Sequence, residues 1–111
     1  IVKTGSAHCP HLVHAPTMRV PGSIGGTDNV YRAAWAALLE VVAHNAAGAE
    51  RIETVAFPAF GTGFGGMAFD EAARQMAVAY RNLLQPPHRL DWDFVVERQQ
   101  AIHYDEGRKV C

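Results

Sequence analysis

Cysteine and long apolar runs are both scarce in this sequence. Cys9 and Cys111 are the only cysteines among 111 residues, too few for a disulfide framework. We therefore predict two free thiols and a reducing, cytoplasmic compartment. No apolar run approaches the roughly 20 residues of a membrane-spanning helix, and no secretory signal precedes the first β-prone segment, so we expect no membrane partner.

An excess of charge of either sign is missing as well. Ten lysine and arginine residues stand against eleven aspartate and glutamate residues, and the formal net charge is −1. This balance argues against nucleic-acid binding through bulk positive charge. Hydrophobic residues make up 49% and charged residues 19%, which is typical of a globular protein, and the length favours a single domain over residues 1–111.

Hydrophobic patterning predicts that strands alternate with helices. Short β-prone runs bounded by glycine or proline predict strands over residues 1–4, 11–15, 52–57 and 92–97. A first helix is expected after the N-cap candidate Asp28, ending near Asn45 before Gly48. A second is expected over residues 69–84, before Pro86. The order β, β, α, β, α, β indicates an α/β fold with helices covering a sheet.

A glycine-dense loop joins the third predicted strand to the second predicted helix. Four of its six residues are glycine: Gly61, Gly63, Gly65 and Gly66. Glycines let a ligand approach the main chain, successive N–H groups form a nest for anions, and the next helix N-terminus adds partial positive charge. The loop therefore predicts a phosphate or diphosphate site held by backbone amides, to which Thr62 can add a hydroxyl donor. A tight turn without a ligand is the alternative.

Two familiar phosphate-binding loops fit this segment less well. A Walker A loop ends in Lys followed by Ser or Thr, whereas Met67 and Ala68 follow here. The Rossmann pattern G-x-G-x-x-G matches formally within the loop. The acidic candidate Glu97, however, lies about thirty residues beyond it rather than about twenty. A Rossmann-type NAD binder is kept as an alternative.

Other residues capable of chemistry are expected to have structural roles. A cluster with metal-ligand side chains is irregularly spaced, and we expect no metal there: His8, Cys9, His11 and His14. The remaining candidates are expected to make surface contacts, to pack, or to cap helices: Arg19, Trp35, Trp92, Asp28 and Asp70. No cofactor is expected, and no catalytic residue is assigned.

Three segments together resemble macro domains, which are ADP-ribose-binding modules with a three-layer α/β/α fold. The strand, loop and second helix read TVAFPAFGTGFGGMAFDEAARQMAVAY, similar to the family's diphosphate-binding segment. Upstream, LVHAPTMRVP is similar to the preceding core strand and its exit loop, and NVYRAAWAALL to the helix between. The segment APTMRVP most resembles the sequences of a bacterial branch of the family that is associated with phage-tail-like annotation.

The resemblance implies which residues contact the ligand. By position, the loop would wrap the diphosphate and the distal ribose: Gly61, Thr62, Gly63, Phe64, Gly65 and Gly66. The strand end would be shaped by Pro58, Ala59 and Phe60. The loop position that is often aromatic in the family is glycine here, and the adjacent Phe64 is the candidate substitute.

The family's amino-terminal part has no counterpart in this sequence. The resemblance therefore implies the carboxyl-terminal two-thirds of a macro domain, with a mixed sheet incomplete on its amino-terminal side. Such a sheet exposes an edge, so the expectation is either that the sequence is a fragment or that the chain associates with another copy or another chain through that edge. The alternatives to ADP-ribose binding are hydrolysis of ADP-ribose adducts, an assembly role with a vestigial loop, and the Rossmann-type NAD binder.

Overall fold

Three helices and two short strand pairs make up the part of the chain that the structure describes. The structure, a computed structural model, describes residues 1–48, 50–105 and 108–109. In chain order the elements are β1 (Val2–Lys3), β2 (His11–Leu12), α1 (Asn29–Ala46), α2 (Phe69–Leu84), α3 (Trp92–His103), β3 (Tyr104–Asp105) and β4 (Arg108–Lys109). β1 pairs antiparallel with β2, and β3 pairs antiparallel with β4.

Both helices predicted from the sequence are present. α1 buries a stripe of mostly small residues at helical spacing: Val30, Ala33, Ala34 and Ala37. It ends before Gly48, whose φ of +77° suits glycine. α2 has the predicted bounds, with Asp70 and Glu71 in its first turn and Pro86 beyond its last.

The core consists of two apolar clusters where α1 packs on α2. One joins the middle of both helices to the end of α3: Tyr31, Ala34, Val78, Ala79 and Ile102. The other lies under the glycine-rich loop: Ile24, Val30, Met67 and Ala72. Phe60 and Met76 pack against both clusters. The loop that the sequence singles out therefore rests directly on buried apolar side chains.

The predicted strand over residues 92–97 is wrong, because this segment forms the first half of α3. Asp91 precedes it, and its Oδ1 accepts a hydrogen bond from the Phe94 amide at 2.9 Å, as a helix N-cap does. Phe94, Arg98 and Ile102 then face inward at helical spacing, whereas the β-prone Val95 and Val96 remain exposed. Tertiary packing thus overrides the local β-propensity.

The other predicted strands are shorter than expected or lack partners. β1 and β2 cover two residues each, within the predicted runs 1–4 and 11–15. Residues 51–59 have no regular secondary structure, so the expected strand over 52–57 forms no ladder among the described residues. The chain mixes helices and strands as predicted, while the three-layer arrangement with its mixed sheet remains a prediction.

Candidate functional site

The glycine-rich loop is held by hydrogen bonds from both of its sides. Ile24 N donates to Gly65 O at 2.9 Å, and Met67 N donates to Gly61 O at 3.0 Å. Within the loop, Gly66 N donates to Gly63 O at 3.0 Å. The loop's shape is therefore set by the chain before any ligand binds.

Three of the four loop glycines are explained by the fold itself. Gly61 and Gly66 have φ values of +70° and +65°, where other residues are strained. A Cβ on Gly61 would lie 2.4 Å from Ile24 Cδ1, and one on Gly65 would lie 2.7 Å from Gly61 O. Gly63 differs, because no atom lies within 4 Å of an added Cβ and its φ is not left-handed. Packing therefore does not require a glycine at position 63.

The loop presents unpaired backbone donors. Among the described residues, four loop N–H groups donate to no acceptor: those of Gly61, Gly63, Phe64 and Gly65. Phe64 is 79% exposed beside them. Thr62 does not add the expected free donor, because its hydroxyl donates to Ala59 O at 2.8 Å. The available donors are therefore main-chain amides, and α2 begins only three residues beyond the loop, at Phe69.

Acidic residues near the start of α2 are already engaged. The predicted capping role of Asp70 is wrong, because it lies within the first turn of α2 and the N-cap position is Ala68, with no side-chain cap hydrogen bond. Its Oδ1 accepts instead from the adjacent Glu71 amide at 2.9 Å. Glu71 forms a two-pronged ion pair with Arg74, with both N···O distances at 2.9 Å. Arg74 also donates to Ile102 O at 2.7 Å, which ties the end of α3 to α2. The Glu71 charge is therefore balanced within the fold.

The predicted capping role of Asp28 is wrong. Its side chain makes no cap hydrogen bond to α1; its Oδ2 accepts from Arg32 Nε at 2.9 Å and lies 3.7 Å from His103 Nε2. The amide of Tyr31 in the first turn is instead satisfied from α2, since Gln75 Oε1 accepts it at 3.0 Å. A tertiary partner takes the donor that a local cap would have taken.

Gln75 is a residue that sequence reasoning missed. It is fully buried, and its Nε2 donates to Thr27 O at 2.7 Å and to Glu71 Oε1 at 2.9 Å. It therefore joins the start of α1 to the first turns of α2. The available signal was a polar residue at a buried position of the predicted helix, since Ala72 and Ala79 lie on the same face.

The histidine and cysteine cluster does not assemble around a common point. Cys9 is exposed, and its Sγ donates to His11 O at 3.5 Å. The His11 ring packs edge-on against His44 with centroids 5.0 Å apart. Within the described ranges, no three His, Cys, Asp or Glu side chains are grouped so as to hold a metal. Cys111, the other predicted free thiol, lies outside the described residues.

The remaining candidates are spread over the surface and the helices. Trp35 stacks on Tyr31, with the Arg98 guanidinium 5.3 Å from its ring centroid, so its predicted packing role is confirmed. Trp92 was expected to pack, yet it is 77% exposed at the start of α3. Glu97 lies inside α3, so it does not end a strand as the Rossmann alternative required. Arg19 is exposed in the loop before α1.

Comparisons with known proteins identify the family of the chain. The family model of the macro domain matches residues 1–76, and the chain therefore belongs to the macro domain family. An uncharacterized protein of Aeropyrum pernix is 39% identical over 79 residues, which cover 71% of this chain. The match spans only 39% of that relative's length. No solved structure gives a significant match.

Macro domains generally bind ADP-ribose or ADP-ribosylated molecules. The family match covers the glycine-rich loop and the first half of α2, which are the parts where unpaired amides and a helix N-terminus come together. As for the membrane, none of the helices in the described part of the chain has the length and apolarity to cross one.

Proposed function

We propose that this chain binds ADP-ribose or a related nucleoside diphosphate through the glycine-rich loop. The observation that carries the proposal is the set of unpaired loop amides on a backbone whose shape the fold has already set. The proposed contact residues are Ala59, Phe60, Gly61, Thr62, Gly63, Phe64, Gly65 and Gly66. We further propose that residues 1–111 form one macro-like domain with the three-layer α/β/α arrangement. The proposed compartment is the cytoplasm.

The electrostatics of the loop support an anionic ligand. Backbone N–H groups in a tight turn form an anion nest, and the N-terminus of α2 adds about half a positive charge beyond it. Arg74 balances Glu71, and the Asp70 carboxylate is occupied by the Glu71 amide. A diphosphate would replace water on donors that lack protein partners, so little is lost when the ligand binds.

Gly63 and Phe64 would have different roles toward the ligand. At Gly63 the backbone is open to close approach, because nothing lies within 4 Å of an added Cβ. The exposed ring of Phe64 offers an apolar face for a sugar ring next to the diphosphate. Gly63 would therefore control access of the phosphates, while Phe64 would favour a ligand that carries a ribose over inorganic diphosphate.

The test is a thermal-shift titration with ADP-ribose, NAD, ADP and AMP. Ligand at one hundred times its dissociation constant stabilises the fold by about 2.7 kcal/mol, which for a domain of this size raises Tm by roughly 10 °C. We expect the shift with ADP-ribose, its loss in Gly63→Glu, and its survival in Gly63→Ala. Gly63→Ala is the matched control, since a methyl group meets no neighbour there.

Two results would contradict the proposal. A chain that melts cooperatively but shows no shift with ADP-ribose does not bind through this loop. A preference for NAD over ADP-ribose would favour the Rossmann-type alternative. Hydrolysis of ADP-ribose adducts is the catalytic alternative to binding, and turnover of an ADP-ribosylated substrate by the purified chain would separate the two.

Self-association in an assembly role is a second candidate, favoured by one observation. Residues 53–57 are rich in strand-forming side chains, and in the described part of the chain nothing pairs with their backbone. Stable self-association without nucleotide binding would favour this candidate over the first.

A further inference from the structure

The turn formed by residues 24–27 is bonded directly to the glycine-rich loop. Its first residue, Ile24, donates its N–H to Gly65 O at 2.9 Å. Its last residue, Thr27, bonds Ile24 O twice, through its N–H at 3.2 Å and through its hydroxyl at 2.7 Å. Both residues between them are glycine, so the backbone of this turn has little rigidity of its own. The hydroxyl bond is therefore a second restraint on Ile24.

The second long helix holds Thr27 from the other side. In a regular α-helix the Tyr31 N–H would donate to Thr27 O, four residues earlier. Here the carboxamide of Gln75 bridges these two groups. Its Oε1 accepts from Tyr31 N at 3.0 Å, and its Nε2 donates to Thr27 O at 2.7 Å. Gln75 is fully buried, so α2 fixes the Thr27 carbonyl while the Thr27 hydroxyl bonds Ile24 O.

The bond to Gly65 O fixes a peptide group that could otherwise rotate. Because a peptide is planar, the Gly65 carbonyl and the Gly66 N–H turn together. Gly66 N donates to Gly63 O at 3.0 Å and so closes a tight turn over residues 63–66. Rotation of this peptide meets no side chain of its own residues, since both are glycine. The Ile24 N–H therefore maintains the orientation in which the turn is closed.

The closed turn carries three of the four unpaired loop amides. In the described part of the chain these are the N–H groups of Gly63, Phe64 and Gly65. If the Gly65–Gly66 peptide rotated, the turn would open and these donors would no longer be held together. The released Gly65 carbonyl would also carry partial negative charge, which repels a phosphate.

We propose that the hydroxyl of Thr27 positions these amides for the diphosphate by holding Ile24 against Gly65 O. This inference rests on the proposed binding of a nucleoside diphosphate and deepens it. Thr27 is a positioning residue, because its hydroxyl is engaged within the chain: it donates to Ile24 O and accepts from Asn29 N at 3.3 Å. Prior ordering of the donors lowers the entropic cost of binding.

The first measurement uses the ligand-free protein and two substitutions of similar size. Thr27→Val removes the hydroxyl, and Thr27→Ser keeps it. Amide hydrogen exchange followed by NMR should be at least about fivefold faster for Ile24 and Gly66 in Thr27→Val, because a restraining hydrogen bond is lost. The Met67 amide, which donates to Gly61 O, is the internal reference and should be unchanged. Thr27→Ser should exchange like the unmodified chain.

The second measurement is calorimetric titration with ADP-ribose, well below the melting temperature of each protein. All three proteins are then folded, so a loss of stability alone does not change the dissociation constant. If the loop is in its binding orientation about a tenth of the time, the apparent dissociation constant rises about tenfold. We expect this rise in Thr27→Val and less than a twofold change in Thr27→Ser.

Three outcomes overturn the proposal. Unchanged exchange at Ile24 and Gly66 in Thr27→Val would show that the hydroxyl does not hold the loop. Faster exchange with unchanged affinity would show that this restraint does not serve the ligand. Equal weakening in Thr27→Val and Thr27→Ser would exclude the hydroxyl as the cause.

Failure of the proposed function gives a different result. An unmodified chain that binds no ADP-ribose overturns that function and with it the role of Thr27 toward a ligand, while the exchange rates still decide whether Thr27 holds the loop. Circular dichroism and thermal melting check that each variant folds. Thr27→Ala, which also lacks the hydroxyl, replaces Thr27→Val if valine prevents folding.

Discussion

The glycine-rich loop and residues 53–57 lie close together in sequence, but the rest of the chain supports their backbones to different degrees. In the loop, Gly65 O and Gly61 O accept hydrogen bonds from outside, and Ile24 fills the space beneath. In residues 53–57 the backbone has no partner among the described residues. The loop is therefore held in shape by the surrounding chain although four of its amides are unpaired, whereas in the described part of the chain the backbone of residues 53–57 has no such support.

This difference decides what each region can bind. A loop already held in shape loses little conformational entropy when a small ligand binds, so its few amide donors suffice for specific recognition. An unpaired strand gains order only when another backbone pairs along its length. The two regions thus suit different kinds of partner: a small ligand for the loop, and another backbone for the segment.

The largest expected effect is at Ile24, the buried side chain under the loop. Ile24 is 3% exposed and packs with Val30, Met67 and Ala72. Ile24→Ala should lower the free energy of unfolding by about 3 kcal/mol, because it removes apolar contacts and leaves a cavity. Urea unfolding measures this loss of free energy. Val55→Ala, within residues 53–57, is the control.

Val55 is 37% exposed, so its truncation should cost less than about 1 kcal/mol. Similar losses at Ile24 and Val55, measured at a concentration where the chain is monomeric, would contradict the contrast between a packed loop and an open segment.

A smaller effect is expected at Gly65. Gly65→Ala would bring a methyl group within 2.7 Å of Gly61 O and 2.9 Å of Ile24 Cγ1, and backbone must move to relieve the first contact. We expect a loss of about 2 kcal/mol in urea unfolding. Gly63→Ala should change stability by no more than about 0.5 kcal/mol, because its methyl group meets no neighbour. The reverse ranking would show that the loop is packed differently.

The helices and the place of the loop were predictable because their determinants are local. Apolar spacing, Gly48 and Pro86 were enough to bound α1 and α2. Glycine density was enough to indicate where backbone donors would be exposed. It did not indicate which glycines serve packing, since the contacts of Gly61 and Gly65 are made by Ile24, which is distant in sequence.

The parts that were not predictable depend on tertiary partners. The amide of Tyr31 is taken by Gln75 rather than by the local candidate Asp28. Residues 92–97 have β-prone composition, yet Phe94 and Arg98 face the core at helical spacing. Residues 53–57 have the composition of a strand, but pairing requires a neighbour that local sequence does not supply.

The smallest effect is expected at the start of α3, which is secured by the partly exposed side chain of Asp91. The Phe94 amide, with help from the Arg89 guanidinium, holds the pKa of Asp91 below its ordinary value. A carboxylate with a lowered pKa in the folded state stabilises the fold fully above its unfolded pKa of about 3.9, and this contribution is lost as the pH falls from there through the folded pKa.

Asp91→Asn isolates that charge, because asparagine also caps helices and keeps the acceptor for the Phe94 amide. Comparing urea midpoints from about pH 6 to about pH 3 cancels the acid effects that both proteins share. We expect the unmodified chain to be the more stable at pH 6 and the difference to shrink as the pH falls from about 4 towards 3. A difference independent of pH would mean that Asp91 acts through hydrogen-bond geometry alone. In that case the anchoring of α3 rests on its inward face and on Arg74, which holds its last carbonyl groups.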